Sequence, residues 1–179
     1  VFLLGVGETA WRLLFGSGVS FRRGVRGAAG VRVEVDPAHI DESAIKATHD
    51  GDDVALALAL AQAKALETSR RAPENWIIGG DSLVSVEGRR FDKPVSRADA
   101  VDHLRKFSGR QMQLTSAVAL ARCGEIDWSH AEQATLSVRL LSDDFITTYL
   151  DAEWPAVSYC VGVFRMEGRG CTRFDRVEV

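Results

Sequence analysis

The stretch Trp76-Ile-Ile-Gly-Gly-Asp-Ser-Leu-Val84 decides the fold of this chain, because it places an acid, Asp81, within a continuous apolar run. The run extends to Val86 and predicts a β-strand. Glu87-Gly88 then predicts a tight turn and a short hairpin that ends near Phe91. The glycine pair before Asp81 leaves its carboxylate uncrowded, so this acid is a candidate for polarising water or for holding a cation.

The segments around this strand alternate between helices and strands. The Ala- and Leu-rich segment from Asp52 to Arg71 begins with acids and ends with arginines, which suits the dipole of a helix. Ser96 is a good N-cap for a second helix to Phe107, and Ser142 caps a third. The other predicted strands are Val31–Asp36, Gln111–Arg122, Ala134–Leu140 and pieces of Tyr159–Val179. This order predicts an α/β or α+β fold, with a mixed central sheet flanked by helices, in one domain over residues 1–179.

The composition excludes several classes of function. A net charge of −3, with 26% charged residues, argues against a nucleic-acid partner, which would favour a basic surface. Three cysteines without a C-x-x-C pair fit a reduced, cytoplasmic compartment. No apolar run approaches the ~18 residues that a membrane span requires, so no membrane association is expected.

Acids and lysines elsewhere in the chain complement Asp81. Asp41-Glu42 is predicted to lie in a loop that follows the strand ending at Asp36. Lys64 lies in the Ala-rich helix, either on a solvated face or on a buried face from which its stem reaches a site. Lys93 precedes a proline, which restricts the lysine backbone to extended conformations. Carboxylates bind a divalent cation or a water, and ammonium groups bind phosphate oxygens, so the set indicates a metal-assisted attack on a phosphate chain.

Further motifs stand at regular places along the chain. In chain order the series is Ser17-Gly-Val-Ser-Phe-Arg22-Arg23, Asp41-Glu42, Leu60-Ala-Gln-Ala-Lys64-Ala, Gly80-Asp81-Ser82, Lys93-Pro94, Phe107-Ser-Gly, Leu114-Thr-Ser and Glu167-Gly-Arg-Gly. This series resembles that of the Maf family of nucleoside triphosphate pyrophosphatases, which was first named for a link to septum formation. The resemblance implies a Maf/Ham1 (ITPase-like) fold with an active-site cleft.

The resemblance also implies roles for the acids and lysines. Asp81 would be the catalytic acid that activates water, and Glu42 would join it in holding Mg²⁺ or Mn²⁺. Lys64 and Lys93 would contact the triphosphate. The expected activity is cleavage of a nucleoside triphosphate to the monophosphate and pyrophosphate. An alternative is a nucleotide-binding regulator of cell division that has lost catalysis.

The N-terminal region departs from the family pattern. Ser17 and Arg22 would form the phosphate-binding loop, and the Arg22-Arg23 pair keeps the family spacing to the next strand. Arg12 is a rival for the same role. Residues 1–14 are expected to be an atypical N-terminal extension within the single domain.

The C-terminal end also differs, since the family continues into a final helix that is missing after residue 179. Loss of that helix would expose core surface, at about 25 cal/mol per Å² of apolar area. We therefore expect the chain either to be less stable than its relatives or to complete itself by association, for example as a homodimer.

Two positions favour the branch of the family that resembles 7-methyl-GTP pyrophosphatases. Phe21 falls where that branch has an aromatic residue, and Glu167 falls where the pyrimidine-preferring branch has Gln. An aromatic face attracts the positive charge of a methylated guanine, and a carboxylate accepts from the guanine N–H edge. Ser82, next to Asp81, is assigned to the same specificity set. The alternative is that Phe21 is a core residue and Glu167 a solvated turn residue.

Overall fold

A computed structural model of the chain describes residues 13–16, 33–165 and 168–179. Within these ranges a seven-stranded mixed sheet has the order β2-β1-β3-β5-β6-β7, and β4 pairs with β3 off this path. The strands are β1 Leu13–Phe15, β2 Val33–Val35, β3 Trp76–Val86, β4 Arg89–Phe91, β5 Gln111–Arg122, β6 Glu125–Val138 and β7 Phe174–Glu178. The helices in the same ranges are α1 Glu42–Thr48, α2 Asp53–Arg71, α3 Arg97–Phe107 and α4 Asp143–Glu153. None of these helices has the length and apolar character to cross a membrane.

The direction of the strands creates a gap beside β3. Strand β1 runs parallel to both β2 and β3, and its pairing with β3 ends at Ile78. Strand β4 is antiparallel and begins its pairing at Val84. Between these two points no strand among the described residues covers this side of β3, and Asp81 lies in that interval. In open α/β sheets, ligands bind outside the carboxyl ends of parallel strands, which is where this gap lies.

Helix α2 covers one face of the sheet and lies unusually close to β3. Asp52 caps the helix by accepting a hydrogen bond from the Ala55 N–H at 2.8 Å. The backbone of α2 rests on Gly79, where an added Cβ would stand 2.2 Å from the carbonyl oxygen of Ala61. Only glycine permits this approach, and it fixes which turn of the helix faces Asp81 two residues later.

The opposite face of the sheet carries the larger apolar core. In this core Val84 of β3 and Met112 of β5 pack in one cluster with Leu104 of α3 and Leu150 of α4. Side chains on both faces of the sheet are completely buried, because successive residues of each strand point to opposite faces. The sheet is therefore held from both faces, which makes β3 a rigid support for Asp81.

The last part of the chain packs around the buried guanidinium group of an arginine. Arg173 is fully buried and donates to the carbonyl oxygens of Val163 and Gly162 at 2.7 and 3.1 Å. The rings of Tyr149, Phe164 and Phe174 surround its guanidinium at 5.3–5.5 Å. Burial lowers the pKa of Arg173 to about 10, which leaves the group charged at neutral pH. A buried charge is tolerated when its donors find hydrogen-bond partners, and here backbone carbonyls serve Nη1 and Nη2, while Nε has no partner among the described residues.

The predicted mixed sheet flanked by helices is confirmed, and α2, α3 and the hairpin lie at or within one residue of their predicted bounds. Helix α4 begins directly after its predicted N-cap, Ser142. Three expectations were wrong. Glu42 begins helix α1 rather than lying in a loop, because Asp41 accepts from the Ala44 N–H and caps a helix there. Strand β6 begins at Glu125 rather than Ala134, because its first half is paired with β5 while one face stays polar.

The third concerns the closing segment, which is mostly not strand. It forms 3-10 turns at Ala156–Tyr159, Val161–Val163 and Arg169–Arg173 before the single strand β7. The second of these turns presents the Gly162 and Val163 carbonyls to the buried Arg173 guanidinium, and the third turn ends at Arg173. The boundary expected after residue 14 falls inside β1, whose hydrogen bonds to β2 and β3 make residues 13 and 14 part of the sheet.

The contact at Gly79 leads to a prediction. Gly79→Ala should destabilise the protein by about 2 kcal/mol or more, because the new methyl group overlaps the α2 backbone and must push the helix from the strand. Urea denaturation measures the effect. Gly88→Asn is the control, since Gly88 has open space around it and asparagine tolerates its positive φ of 76°. Equal stability of Gly79→Ala and the parent protein would contradict the close approach.

Candidate active site

Three charged side chains from three different elements meet in the gap beside β3. The Lys64 Nζ lies 2.5 Å from Asp81 Oδ1 and 2.8 Å from Glu42 Oε1. The side chains of Lys64 and Asp81 are 9% and 11% exposed, whereas that of Glu42 is 41% exposed. The cluster is therefore buried on the side of the sheet and open on the side of α1.

Each member is placed by a local feature of its element. Glu42 is the first residue of α1, where a negative charge is favoured by the helix dipole. Lys64 lies on the buried stripe of α2, and its stem runs along apolar surface so that the ammonium group reaches the gap. Asp81 follows Gly79 by two residues, so the period of the strand turns both toward α2. The buried-face interpretation of Lys64 describes its position, and the solvated-face interpretation was wrong.

Electrostatics differ between the two carboxylates. Burial raises the pKa of Asp81, the Lys64 ammonium opposes that effect, and the nearby Glu42 adds to it, so the net direction is upward. For Glu42 burial also raises the pKa, but the hydrogen bond from Lys64 and the charges of Lys64, Lys93 and Lys46 bring the net shift downward. Burial lowers the pKa of Lys64, yet the two acids raise it overall and hold the lysine protonated.

Two more lysines lie at the open rim of the cluster. Lys93 is exposed, and its charge is among those that lower the Glu42 pKa. Lys46 lies one turn after Glu42 on α1, and its Nζ is 2.5 Å from Asp92 Oδ1. The structure thus brings Lys93 into the neighbourhood of the cluster, and it adds Lys46 and Asp92, which the sequence analysis did not single out. Their signal in the sequence was the four-residue spacing from Glu42 and the adjacency of Asp92 to Lys93.

Other predicted site residues are not part of this cluster. Ser82 points to the opposite face of β3 from Asp81, and its Oγ lies 3.3 Å from the Ser116 Oγ. The structure therefore separates Ser82 from the acid–lysine cluster. The remaining candidates, namely Arg12, Ser17, Phe21, Arg22 and Glu167, lie outside the described residues. The described chain reaches Gly16, which packs against the backbone of α2 at Lys64.

The cluster has donor atoms for a hard cation. Only one oxygen of each carboxylate, Asp81 Oδ1 and Glu42 Oε1, bonds to Lys64, and the second oxygen of each has no hydrogen-bond partner among the described residues. No group of three or more acidic, histidine or cysteine side chains in residues 13–16, 33–165 and 168–179 forms a fuller metal site. Magnesium commonly binds through one or two carboxylates and takes its other ligands from water and substrate phosphates. The oxygens present fit that mode of binding.

The fold and the cluster describe a mixed α/β protein with an acid–lysine site at the carboxyl ends of parallel strands. A family model described as Maf-like protein matches residues 12–179, and the chain belongs to the Maf family. It is 38% identical over 170 residues to a 7-methyl-GTP pyrophosphatase of Rhizobium etli, covering 93% of this chain and 85% of that protein. It is also 38% identical over 170 residues to a nucleoside triphosphate pyrophosphatase of Gluconobacter oxydans, covering 93% of this chain and 84% of that protein.

Among solved structures, the Ham1 protein of Staphylococcus aureus is similar over 74% of this chain and 72% of its own. The TM-score is 0.38 and the sequence identity is 14%. A likeness at this level carries no weight for function.

The shared ammonium leads to a second prediction. Lys64→Met should destabilise the protein by about 2 kcal/mol, because two carboxylates are then left together without a cation. This destabilisation is smaller than that expected when a fully buried ion pair loses one partner, because Glu42 is partly exposed. The deficit should shrink as the pH falls, since protonation of Asp81 removes the repulsion. Urea denaturation at pH 8 and pH 5 measures both effects.

The double variant Lys64→Met/Asp81→Asn should recover part of the lost stability at pH 8. Lys106→Met, at an exposed lysine of α3, serves as the control and should change stability little. A double variant less stable than Lys64→Met would show that the acids do not repel each other at this site.

Proposed function

We propose that the protein hydrolyses a nucleoside triphosphate between the α- and β-phosphates and releases the monophosphate and pyrophosphate. The observation that carries the proposal is the Glu42–Lys64–Asp81 cluster, buried at the gap beside β3, with Lys46 and Lys93 at its rim. Membership of the Maf family and the names of the two relatives support the same reaction. Such a reaction needs an oriented water and neutralisation of charge on the phosphates, and acids beside lysines supply both.

Asp81 is assigned the role of the base. One of its oxygens accepts from Lys64, which fixes the carboxylate, and the other is available to take a proton from water. The water oxygen then bonds to the α-phosphorus, the bond from that phosphorus to the bridging oxygen breaks, and pyrophosphate leaves with the bridging oxygen. Burial raises the pKa of Asp81 and makes it a stronger base than a solvated aspartate, while the Lys64 ammonium opposes that rise.

Lys64 has a double role in this proposal. An ammonium group has three donors, and two of them are directed to Asp81 and Glu42, so one is left for a phosphate oxygen. Lys93, which pairs with no acid among the described residues, supplies a further charge for the phosphates. Lys64 therefore holds the acids in place, and the larger share of phosphate neutralisation lies with the lysines of the rim.

A divalent cation, Mg²⁺ or Mn²⁺, is proposed as the cofactor, with Glu42 and Asp81 as its protein ligands. When bound, it would neutralise phosphate oxygens and polarise the bond that breaks. Glu42 is suited to this role because its lowered pKa keeps it ionised and because it is open to solvent. No histidine or cysteine accompanies the two acids, which favours these cations over zinc.

The proposed substrate is 7-methyl-GTP. Support comes from the sequence positions of Phe21 and Glu167 and from the name of the Rhizobium etli relative. The alternative, a nucleotide-binding regulator without catalysis, would bind nucleotide but release no pyrophosphate. Measurement of pyrophosphate release across a nucleotide panel with Mg²⁺ or Mn²⁺ distinguishes the two.

A third prediction tests the role of Asp81 as the general base. Asp81→Asn keeps the size of the side chain but removes the charge, so pyrophosphate release should fall by about 10²–10⁴-fold with the fold intact. Asp175→Asn is the matched control, because Asp175 is exposed on β7 at the other end of the sheet order from the cluster. An Asp81→Asn protein that turns over at nearly the parent rate would show that another group activates the water.

A fourth prediction tests which nucleobase the protein prefers in its substrate. The kcat/KM for 7-methyl-GTP should exceed that for UTP or dTTP by roughly 5–150-fold, the size expected when the wrong base leaves a buried polar group unpaired. Glu167→Gln should erode the preference, because the amide loses the charge, whereas Glu125→Gln on β6 should not. If the parent protein prefers pyrimidine triphosphates, the proposal of 7-methyl-GTP as substrate is wrong, whereas the proposed pyrophosphatase reaction is unaffected.

A further inference from the structure

Lys46 stands between the acid cluster and the segment that carries Lys93. It lies four residues after Glu42, so both side chains project from the same face of α1. Glu42 contacts Lys64, which shows that this face is turned toward the cluster. The Lys46 ammonium group bonds to Asp92, the residue before Lys93, with 2.5 Å between Nζ and Oδ1. The charge of Lys46 is felt by both Glu42 and Asp81, whose pKa values it lowers.

Among the described side chains of the cluster and its rim, three acids and three lysines balance each other. The acids are Glu42, Asp81 and Asp92, and the lysines are Lys46, Lys64 and Lys93. Lys64 is committed to two acids, and Lys46 is neutralised by a third. A site that receives a polyanion needs unpaired positive charge, and when Asp92 turns away from Lys46 into solvent it leaves one ammonium group free.

The Lys46–Asp92 pair is built so that it can be exchanged. The side chain of Asp92 is 80% exposed and that of Lys46 is 32% exposed, so water competes for both groups. Exposed pairs of this kind contribute about 0–1 kcal/mol, which a phosphate chain with several charges can exceed. We propose that Lys46 is a substrate-binding residue that Asp92 holds in the free protein and releases to the phosphates of the bound nucleotide. This proposal rests on the proposed function, because it places the triphosphate at the Glu42–Lys64–Asp81 cluster.

The test relies on two variants with effects of opposite sign. Lys46→Met should raise the KM for the nucleoside triphosphate by about tenfold, the value of a lost charged hydrogen bond, with little change in kcat. Asp92→Asn should lower the KM by about twofold to threefold, because it removes the competitor for Lys46. Lys46→Met should also weaken the dependence of kcat/KM on salt, and Lys46→Arg should restore most of the affinity.

A purely structural ion pair gives a different pattern. If the pair only fastens α1 to the segment after β4, both variants weaken binding together, and that result overturns the proposal. Arg97 and Asp151 form the matched control, since this exposed pair joins α3 and α4 at 2.5 Å, away from the cluster. Arg97→Met and Asp151→Asn should leave the KM unchanged, and thermal denaturation of all five variants reports on folding.

Binding of inorganic tripolyphosphate, measured by calorimetry, separates this proposal from the proposed function. Weaker binding by Lys46→Met and tighter binding by Asp92→Asn support the role of Lys46 even if no nucleotide is hydrolysed, in which case the proposed reaction alone fails. Equal binding by the two variants and the parent overturns the role of Lys46 while hydrolysis stands. Failure of the parent protein to bind tripolyphosphate overturns it as well.

Discussion

The ammonium group of Lys64, shared between Glu42 and Asp81, is the interaction on which the rest of the site depends. Two carboxylates that share one ammonium group repel each other, the more so because Asp81 is largely buried, and the lysine offsets the repulsion by hydrogen bonding to both. The lysine in turn is held charged by the acids, although burial alone would favour its neutral form. The group is therefore stable only as a complete set, which ties α1, α2 and β3 to one arrangement.

The sheet makes this set possible by leaving room for it. Strand β1 ends at Phe15 and β4 begins at Arg89, so at Asp81 the side of β3 that faces them has no strand partner, while β5 pairs with the other side. Gly79 lets α2 approach to backbone contact, which shortens the path from the helix axis to the strand until a lysine can span it. A larger residue at this position would increase that distance, and the contact between Lys64 and Asp81 would be lost. The packing of one glycine thus determines an electrostatic contact two residues away.

The sequence predicted the parts of the molecule that are encoded locally. Helix α2 and strand β3 were recognisable because caps, apolar runs and turn residues act over a few positions, and Asp81, Lys64 and Glu42 stood in motifs of a known family. The 3-10 turns near the C-terminus were not, because the turn at Val161–Val163 packs around Arg173, a residue whose type predicts exposure. The burial of Arg173 depends on contacts with rings that include two, Tyr149 and Phe164, far from it in the sequence. Ser82 shows the same limit, since adjacency in sequence placed it beside Asp81 while the pleat of the strand turns it away.

The two acids of the cluster differ in a way that suits different tasks. Asp81 lies deeper, and its raised pKa indicates a carboxylate whose charge is costly and whose affinity for a proton is increased. Glu42 is closer to solvent and within the field of three lysines, so its charge is favoured and its affinity for a proton is reduced. A group that must accept a proton benefits from the first environment, and a group that must stay ionised beside a cation benefits from the second. Burial and neighbouring lysines produce this division. The proposal of Asp81 as the base, and of Glu42 as the more readily ionised of the two cation ligands, therefore has a physical ground beside the family resemblance.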